Sequence, residues 1–269
     1  MTKTTTIYRR HRKADKMTAY IKKEWMELTR TGRLLILGII FIIFGILNPA
    51  MAKLTPWLYE MLQESFADQG ITVGEVTVNA MTSWTQYFKN ALMIVIAMIL
   101  MSSTGFTNEY QKGTLVQVVT KGLSRKKIYF SKLLMGYISW TIMFLVYTGI
   151  TLGYTVYFWG EDKVPNLFYA ILFLWLFGML LMTILSMFGA MAGNSGQVLL
   201  GTGGFVVIWF FLNYIPAVSK YMPIKLMDGM QLCNGTASVS DFSEAVISSS
   251  IVIIVCVIIG MIAFDRKKL

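Results

Sequence analysis

Charge is what this sequence has least of. Only 14% of its 269 residues are Asp, Glu, Lys or Arg, against about 25% in soluble domains. That shortage points to a membrane protein before any segment is inspected. The sole histidine, His11, lies in the N-terminal tail, so a histidine base for nucleophilic chemistry is missing from the rest of the chain. Cys233 and Cys256 are the only cysteines, one in a predicted loop and one in an apolar run. Neither a disulfide nor a cysteine metal site is expected from them. The phosphate-cradling pattern G-x-x-x-x-G-K-[ST] does not occur, so the chain carries no P-loop of its own. With no clustered acids, bases or ligands, the sequence predicts no enzyme, no metal site and no cofactor within this chain.

What it has is apolar length. Six runs contain no Asp, Glu, Lys, Arg or His: Leu34–Ala50, Ala91–Phe106, Leu133–Trp159, Leu167–Ala192, Val198–Ile215 and Val246–Phe264. Crossing the hydrocarbon layer takes roughly 17–25 helical residues, which these runs supply once flanking side chains snorkel. Ala91–Phe106 is the shortest, and its helix is expected to begin nearer Trp84, with Lys89 reaching the interface. The fold class predicted is all-α, a polytopic membrane protein with six transmembrane helices.

Basic residues set the orientation. Assigning segments alternately puts 19 of the 24 Lys and Arg on the side of the N-terminus, leaving Lys53, Lys89, Lys163, Lys220 and Lys225 opposite. Both termini are therefore expected in the cytoplasm. The net charge of +10 follows from this asymmetry and from anionic lipid headgroups, without nucleic acid as a partner. The 33 residues before the first span are too long and polar for a cleavable signal peptide, and none is expected.

The predicted organisation is a cytoplasmic tail and amphipathic helix over residues 1–33, a six-helix transmembrane domain over 34–264, and a short cytoplasmic tail, 265–269. In the first part Met17, Ile21, Trp25 and Leu28 recur at helical spacing with Tyr20 beside them, which suits a helix on the inner membrane surface. Two outer segments, 53–87 and 216–245, are sizeable. Asn48-Pro49 is expected to break the first helix and Thr55-Pro56 to start another bearing Trp57, Leu58, Met61, Leu62 and Phe66. Asp241 with Glu244 is expected to open the last helix. Gly149-x-x-x-Gly153 and Gly189-x-x-x-Gly193 predict close helix packing. Gly193-Asn194-Ser195-Gly196 matches the G-x-S-G of intramembrane serine proteases, but without a histidine it reads as a tight turn.

The most patterned polar segment is the cytoplasmic loop 107–132. Asn108 with Gln111 predicts a capped short helix, Leu115, Val118 and Val119 give it an apolar face, Gly122 ends it, and Ser124 caps the following helix. On the third span Tyr137, Thr141, Thr148, Thr151 and Thr155 share a face about 80° wide at roughly 100° per residue. They are candidates either for a translocation path or for hydrogen bonds to neighbouring helices.

Glu109, Lys112-Gly113-Thr114-Leu115, Leu123-Ser124-Arg125 and Lys132 resemble the first cytoplasmic loop of type-2 ABC-transporter permeases, approximately E-x-x-x-G-T-L followed by P-x-S-R and a lysine; Gly122-Leu123 stands where proline is common. The stretch KKEWMELTRTGRLLIL resembles that family's interfacial elbow helix. The resemblance implies a permease subunit of the bacterial plasma membrane that pairs with a second copy, as homodimer or heterodimer. It further implies a cytoplasmic ABC ATPase subunit holding ATP and Mg, relayed through Glu109, Lys112, Gly113, Thr114, Leu115, Val118, Val119 and Arg125. Uncharged, aromatic-rich spans suit export of a hydrophobic or amphipathic cargo, with peptides such as toxins or antimicrobial peptides as the leading class. The alternatives are a docking or immunity protein that transports nothing, and an ion (sodium or copper) exporter or pore. The absence of intramembrane carboxylates disfavours a proton- or sodium-coupled secondary transporter, and the 19 methionines are scattered over the spans without the paired spacing of a copper site.

Overall fold

The computed structural model describes the backbone of residues 3–67, 78–160 and 162–267, and the side chains of 17–61, 78–160 and 162–267. The side chains of the basic tail 1–13, of Leu62 and of Phe66 lie outside the described set. Among the described residues every regular element is a helix. Six helices are long and apolar enough to cross a membrane: Arg33–Met61, Ala80–Gln111, Arg125–Trp159, Leu167–Met191, Ser195–Leu212 and Val239–Arg266. They coincide with the six uncharged runs, and the protein is a multi-pass membrane protein.

In chain order, α1 (Lys3–Arg30) precedes the first spanning helix, α2 (Arg33–Ala67). Gly32, at φ 70°, makes the corner between them, a backbone state that glycine adopts without steric cost. The second span is α3 (Ala80–Ser102) prolonged by α4 (Thr104–Gln111), and α5 (Thr114–Thr120) follows. The third span is α6 (Arg125–Trp159), the fourth α7 (Leu167–Met191), the fifth α8 (Ser195–Leu212). Short pieces including α9 (Pro216–Ser219) and α10 (Gly229–Cys233) lead to α11 (Ser243–Arg266), the sixth span.

The bundle is built around α7. Of its best apolar window 67% is buried, against 17% for α8 and 22% for the last span. It packs on α6, α8 and α11 and also meets α3 and α4. Gly178 lets Trp140 of α6 lie directly on the α7 backbone, where any Cβ would collide with the indole. The outward faces of α2, α8 and α11 are correspondingly apolar, with Leu35, Leu200, Phe211 and Ile254 each at least 60% exposed within the protomer. Such surfaces belong in lipid or against another protein.

Four helix boundaries differ from those expected. Pro49 and Pro56 both lie inside one uninterrupted helix, α2. Proline at 49 has no N–H for the carbonyl of Gly45, but the Thr151 hydroxyl donates to that oxygen at 3.1 Å. The break is thus repaired by the neighbouring helix. Asn48 is fully buried, donating to Thr151 Oγ1 at 2.9 Å and accepting from Asn90 at 2.8 Å. Asn108 does not open a helix; it lies within α4, which starts at Thr104. Asp241 does not cap α11 but closes a box on Ser238, accepting from its backbone N–H at 2.8 Å, at the start of the 3-10 turn Val239–Phe242.

The glycine pairs divide. A Cβ on Gly189 would meet Phe106 at 2.8 Å, so close packing holds there, whereas Gly149 and Gly153 face open space. The expected tight turn is made by Gly193 and Asn194, with Ser195 already opening α8; Asn194 accepts from Gln197 N and Gln197 Oε1 accepts from Gly193 N, both at 2.9 Å.

Candidate coupling site at the basic end of the bundle

The second span does not stop at the apolar run. One turn residue, Ser103, separates α3 from α4, and α4 carries the chain two further turns to Gln111. Gly113, at φ 65°, reverses it into α5. At the far end Leu123 N donates to Val118 O and Gly122 N to Val119 O, with Gly122 at φ 84°. This is a Schellman ending, and it brings Leu123 onto the same apolar side as Val118. Ser124 occupies the N-cap position of α6 without a side-chain cap hydrogen bond.

The apolar face of α5 turns inward. Leu115 is 1% exposed and packs with Tyr20, Phe106, Leu123, Ile128, Tyr129, Leu133 and Phe264, and Val118 and Val119 lie against the same cluster. Leu115, Val118 and Val119, which the resemblance places in the relay to an ATPase, thus pack on this protein's own helices. What α5 offers outward is Lys112, Gly113, Val116, Gln117 and Thr120, all exposed. Val116, Gln117 and Thr120 escaped the sequence reading, although they sit at the positions left over once 115, 118 and 119 are assigned to an inward stripe.

Glu109 also points inward and is 3% exposed. Its carboxylate pairs with Lys132 at 3.1 Å, at the foot of α6, and with Lys23 of α1. Lys132 in turn pairs with Glu24 of α1 at 3.1 Å and donates to the carbonyl of Gly105 at 3.0 Å. Lys23 completes the ring to Glu24 and, at 2.8 Å, to Glu27. Burial pushes the Glu24 carboxyl up, but Lys132 and Lys23 outweigh it and hold the group below its ordinary value. Lys23 is lowered by burial and raised more strongly by Glu24, Glu109 and Glu27, so its ammonium persists above its ordinary range. Three elements, α1, α4 and α6, are thus joined by one set of charges, buried at Glu24, Glu109 and Lys132 and half-exposed at Lys23 and Glu27. Glu24, Glu27 and Glu109 converge closely enough to resemble a metal cluster, but the two lysine ammoniums already occupy the space between their oxygens.

This ring changes the reading of the N-terminal helix. Its inward stripe is Tyr20 and Glu24, with Trp25 40% exposed on the neighbouring side. Helix α1 is docked by polar contacts as well as lying along the bundle, and hydropathy alone could not show that. Arg125 donates to the carbonyls of Asp265, at 3.0 Å, and Lys267, closing the end of α11. Lys267 lies 3.6 Å above the Tyr110 ring.

The five polar residues of the third span are all hydrogen-bonded to other helices of the protomer. Tyr137 meets Thr183 at 2.6 Å, Thr141 accepts from Trp175 at 3.1 Å, Thr148 meets Tyr87 at 2.8 Å and Thr155 meets Ser83 at 2.6 Å. Thr151 serves Asn48 and Gly45 as described. Of the two uses open to these residues, the geometry supports helix packing.

No curated protein matches the chain. The family profile described as ABC-2 family transporter protein matches residues 18–269, from the docked half of α1 to the C-terminus, and the chain belongs to that transporter family.

Proposed function

We propose that this protein is the permease subunit of an ATP-driven exporter of the bacterial plasma membrane. A separate cytoplasmic ABC ATPase, holding ATP and Mg, docks on α5, and two permease copies together form the export path. The observation that carries this reading is the mounting of α5. Its apolar face is buried, and α4, which leads into it, is ion-paired to both α1 and α6. A force on the exposed side of α5 would be passed to the third span and the N-terminal helix rather than lost in a flexible loop. In this reading Lys112, Gly113, Val116, Gln117 and Thr120 receive the ATPase, while Glu109, Thr114, Leu115, Val118, Val119 and Arg125 hold the element in place. The uncharged spans favour a hydrophobic or amphipathic cargo, and peptides are the class we favour.

The test is co-expression with the ABC ATPase encoded at the same locus, followed by copurification and ATP hydrolysis with and without candidate peptides. Val116→Asp and Gln117→Trp alter the exposed side, whereas Leu115→Asp would bury a charge. Peptide-stimulated hydrolysis in the wild type, lost in both outer-face variants while each still folds and copurifies as a membrane protein, supports the reading. Failure of the wild type to copurify with the ATPase overturns it in favour of a docking or pore-forming protein.

A further inference from the structure

Beside the charge ring lies a partly open cavity of about 80 Å³ between α1, α2, α3, α6 and α7. Its inner wall is apolar and adaptable, formed in part by Leu37, Met98, Met135 and Met182, each at most 3% exposed. Methionine suits a site that must fit a flexible chain. Along α6 the lining runs from Lys132 to Ser139, about 10 Å at 1.5 Å per residue. An engineered apolar cavity of about 150 Å³ admits benzene; this space is smaller and its lining runs lengthwise along α6, which suits a linear chain.

The polar end of the lining holds Glu24, Lys132 and Arg33. Glu24 shares Lys132 and Lys23 with Glu109 and Glu27, three carboxylates to two ammoniums, so neither lysine of the ring is left over for a ligand. Arg33 is different. It is half-buried, opens the first spanning helix, and carries no ion pair or hydrogen bond through its guanidinium among the described residues. Arg30, three residues earlier, is exposed and likewise has no carboxylate partner. A planar guanidinium matches phosphate oxygens in bidentate geometry, and at the end of a spanning helix the nearest phosphates are those of lipid headgroups.

We propose that this cavity is a binding site for one anionic phospholipid, its phosphate on Arg33 and one acyl chain inserted toward Met98 and Met182. The bound lipid would wedge α1 against α2 and α6 beside the charge ring. The inference rests on the cavity and its charge and is independent of whether α5 receives an ATPase.

Gly136 provides the test. It lines the cavity, and a Cβ built there meets only the Met182 sulfur, at 4.0 Å. Gly136→Ala therefore leaves room, and Gly136→Leu fills the chain site. The full chain, purified in detergent, is exposed to phosphatidylglycerol, phosphatidylcholine or inorganic phosphate, and retained lipid is counted by native mass spectrometry. The wild type and Gly136→Ala should retain one phosphatidylglycerol per chain about five-fold more strongly than phosphatidylcholine, the preference expected of about 1 kcal/mol per basic residue at an anionic headgroup. Arg33→Gln should abolish that preference while chain binding persists, and Gly136→Leu should retain neither lipid. Inorganic phosphate should displace nothing. Equal retention of both lipids by the wild type, an unchanged preference in Arg33→Gln, wild-type retention in Gly136→Leu, or displacement by inorganic phosphate would each overturn the proposal.

Discussion

Lys132 is the residue on which the basic end of the bundle depends most. It is 8% exposed, yet its ammonium is saturated by one carboxylate from α1 and a carboxylate and a carbonyl from α4. Removing one member of a buried ion pair strands the others, a loss of about 3–5 kcal/mol. Lys132→Met should therefore lower unfolding stability in detergent by that order. Adding Glu109→Gln should cost less than the sum of the two single changes, since the first has already emptied the site. Additive losses in a denaturant-unfolding double-mutant cycle would show that the two charges do not act together. The ring also has a pH signature. A carboxyl held below its ordinary value of 4.5, as Glu24 is, contributes stability that is present above that value and lost as pH falls through the folded one. Lys23, held above its ordinary value of 10.5, contributes stability present below that value and lost as pH rises through the folded one. The deficit of Glu24→Gln relative to wild type should be constant between about pH 6 and 9 and should shrink on acidification below 4.5, as read by thermal unfolding across pH.

At the scale of the element, α2 shows how a neighbour can overrule a local signal. Two prolines in a helix are ordinarily read as stops, since each removes an N–H and crowds the carbonyl four residues back. Here the carbonyl orphaned by Pro49 is served by Thr151, which also accepts from Asn48. Thr151→Val keeps the shape and removes both bonds, leaving the Gly45 carbonyl and the Asn48 amide short of partners. A loss of about 1–3 kcal/mol is expected for unsatisfied buried groups, together with a sharper kink at Pro49. Spin labels placed at exposed Leu35 and Leu54 would measure the kink as a shortened distance in Thr151→Val. An unchanged distance and stability would mean that α2 needs no help from α6. The same lesson explains which parts of the fold were legible. The six spans were, because a run without charge is a property of the sequence alone. The continuity of α2 and the inward turn of Leu115 were not, because each is decided by a residue about 100 positions away or by another helix. Glu109 and Lys132 were legible as motif members, but their partner Glu24 was hidden inside a helix whose hydropathy pattern drew attention to Trp25.

At the scale of the whole molecule, the charges sort the two ends of the bundle. The ring, the Arg125 contact with the end of α11, and the Lys267 stack on Tyr110 all gather at the end where α1 turns into α2 and α11 stops. The alternating assignment of segments along the sequence leaves the opposite end five of the 24 Lys and Arg. Anionic inner-leaflet lipids and the insertion machinery both favour holding the basic end in the cytoplasm, and the ATPase docking proposed for α5 requires the same orientation. Both native cysteines are buried, so replacing Cys233 and Cys256 with alanine gives a background for single reporters. Ser124→Cys reports the basic end and Tyr214→Cys, at a position 72% exposed, the other. A membrane-impermeant maleimide applied to intact cells should label Tyr214→Cys at once and Ser124→Cys only after lysis. The reverse pattern would place α5 outside the cell, where no cytoplasmic ATPase could reach it, and the charge ring would then serve only to hold the helices together.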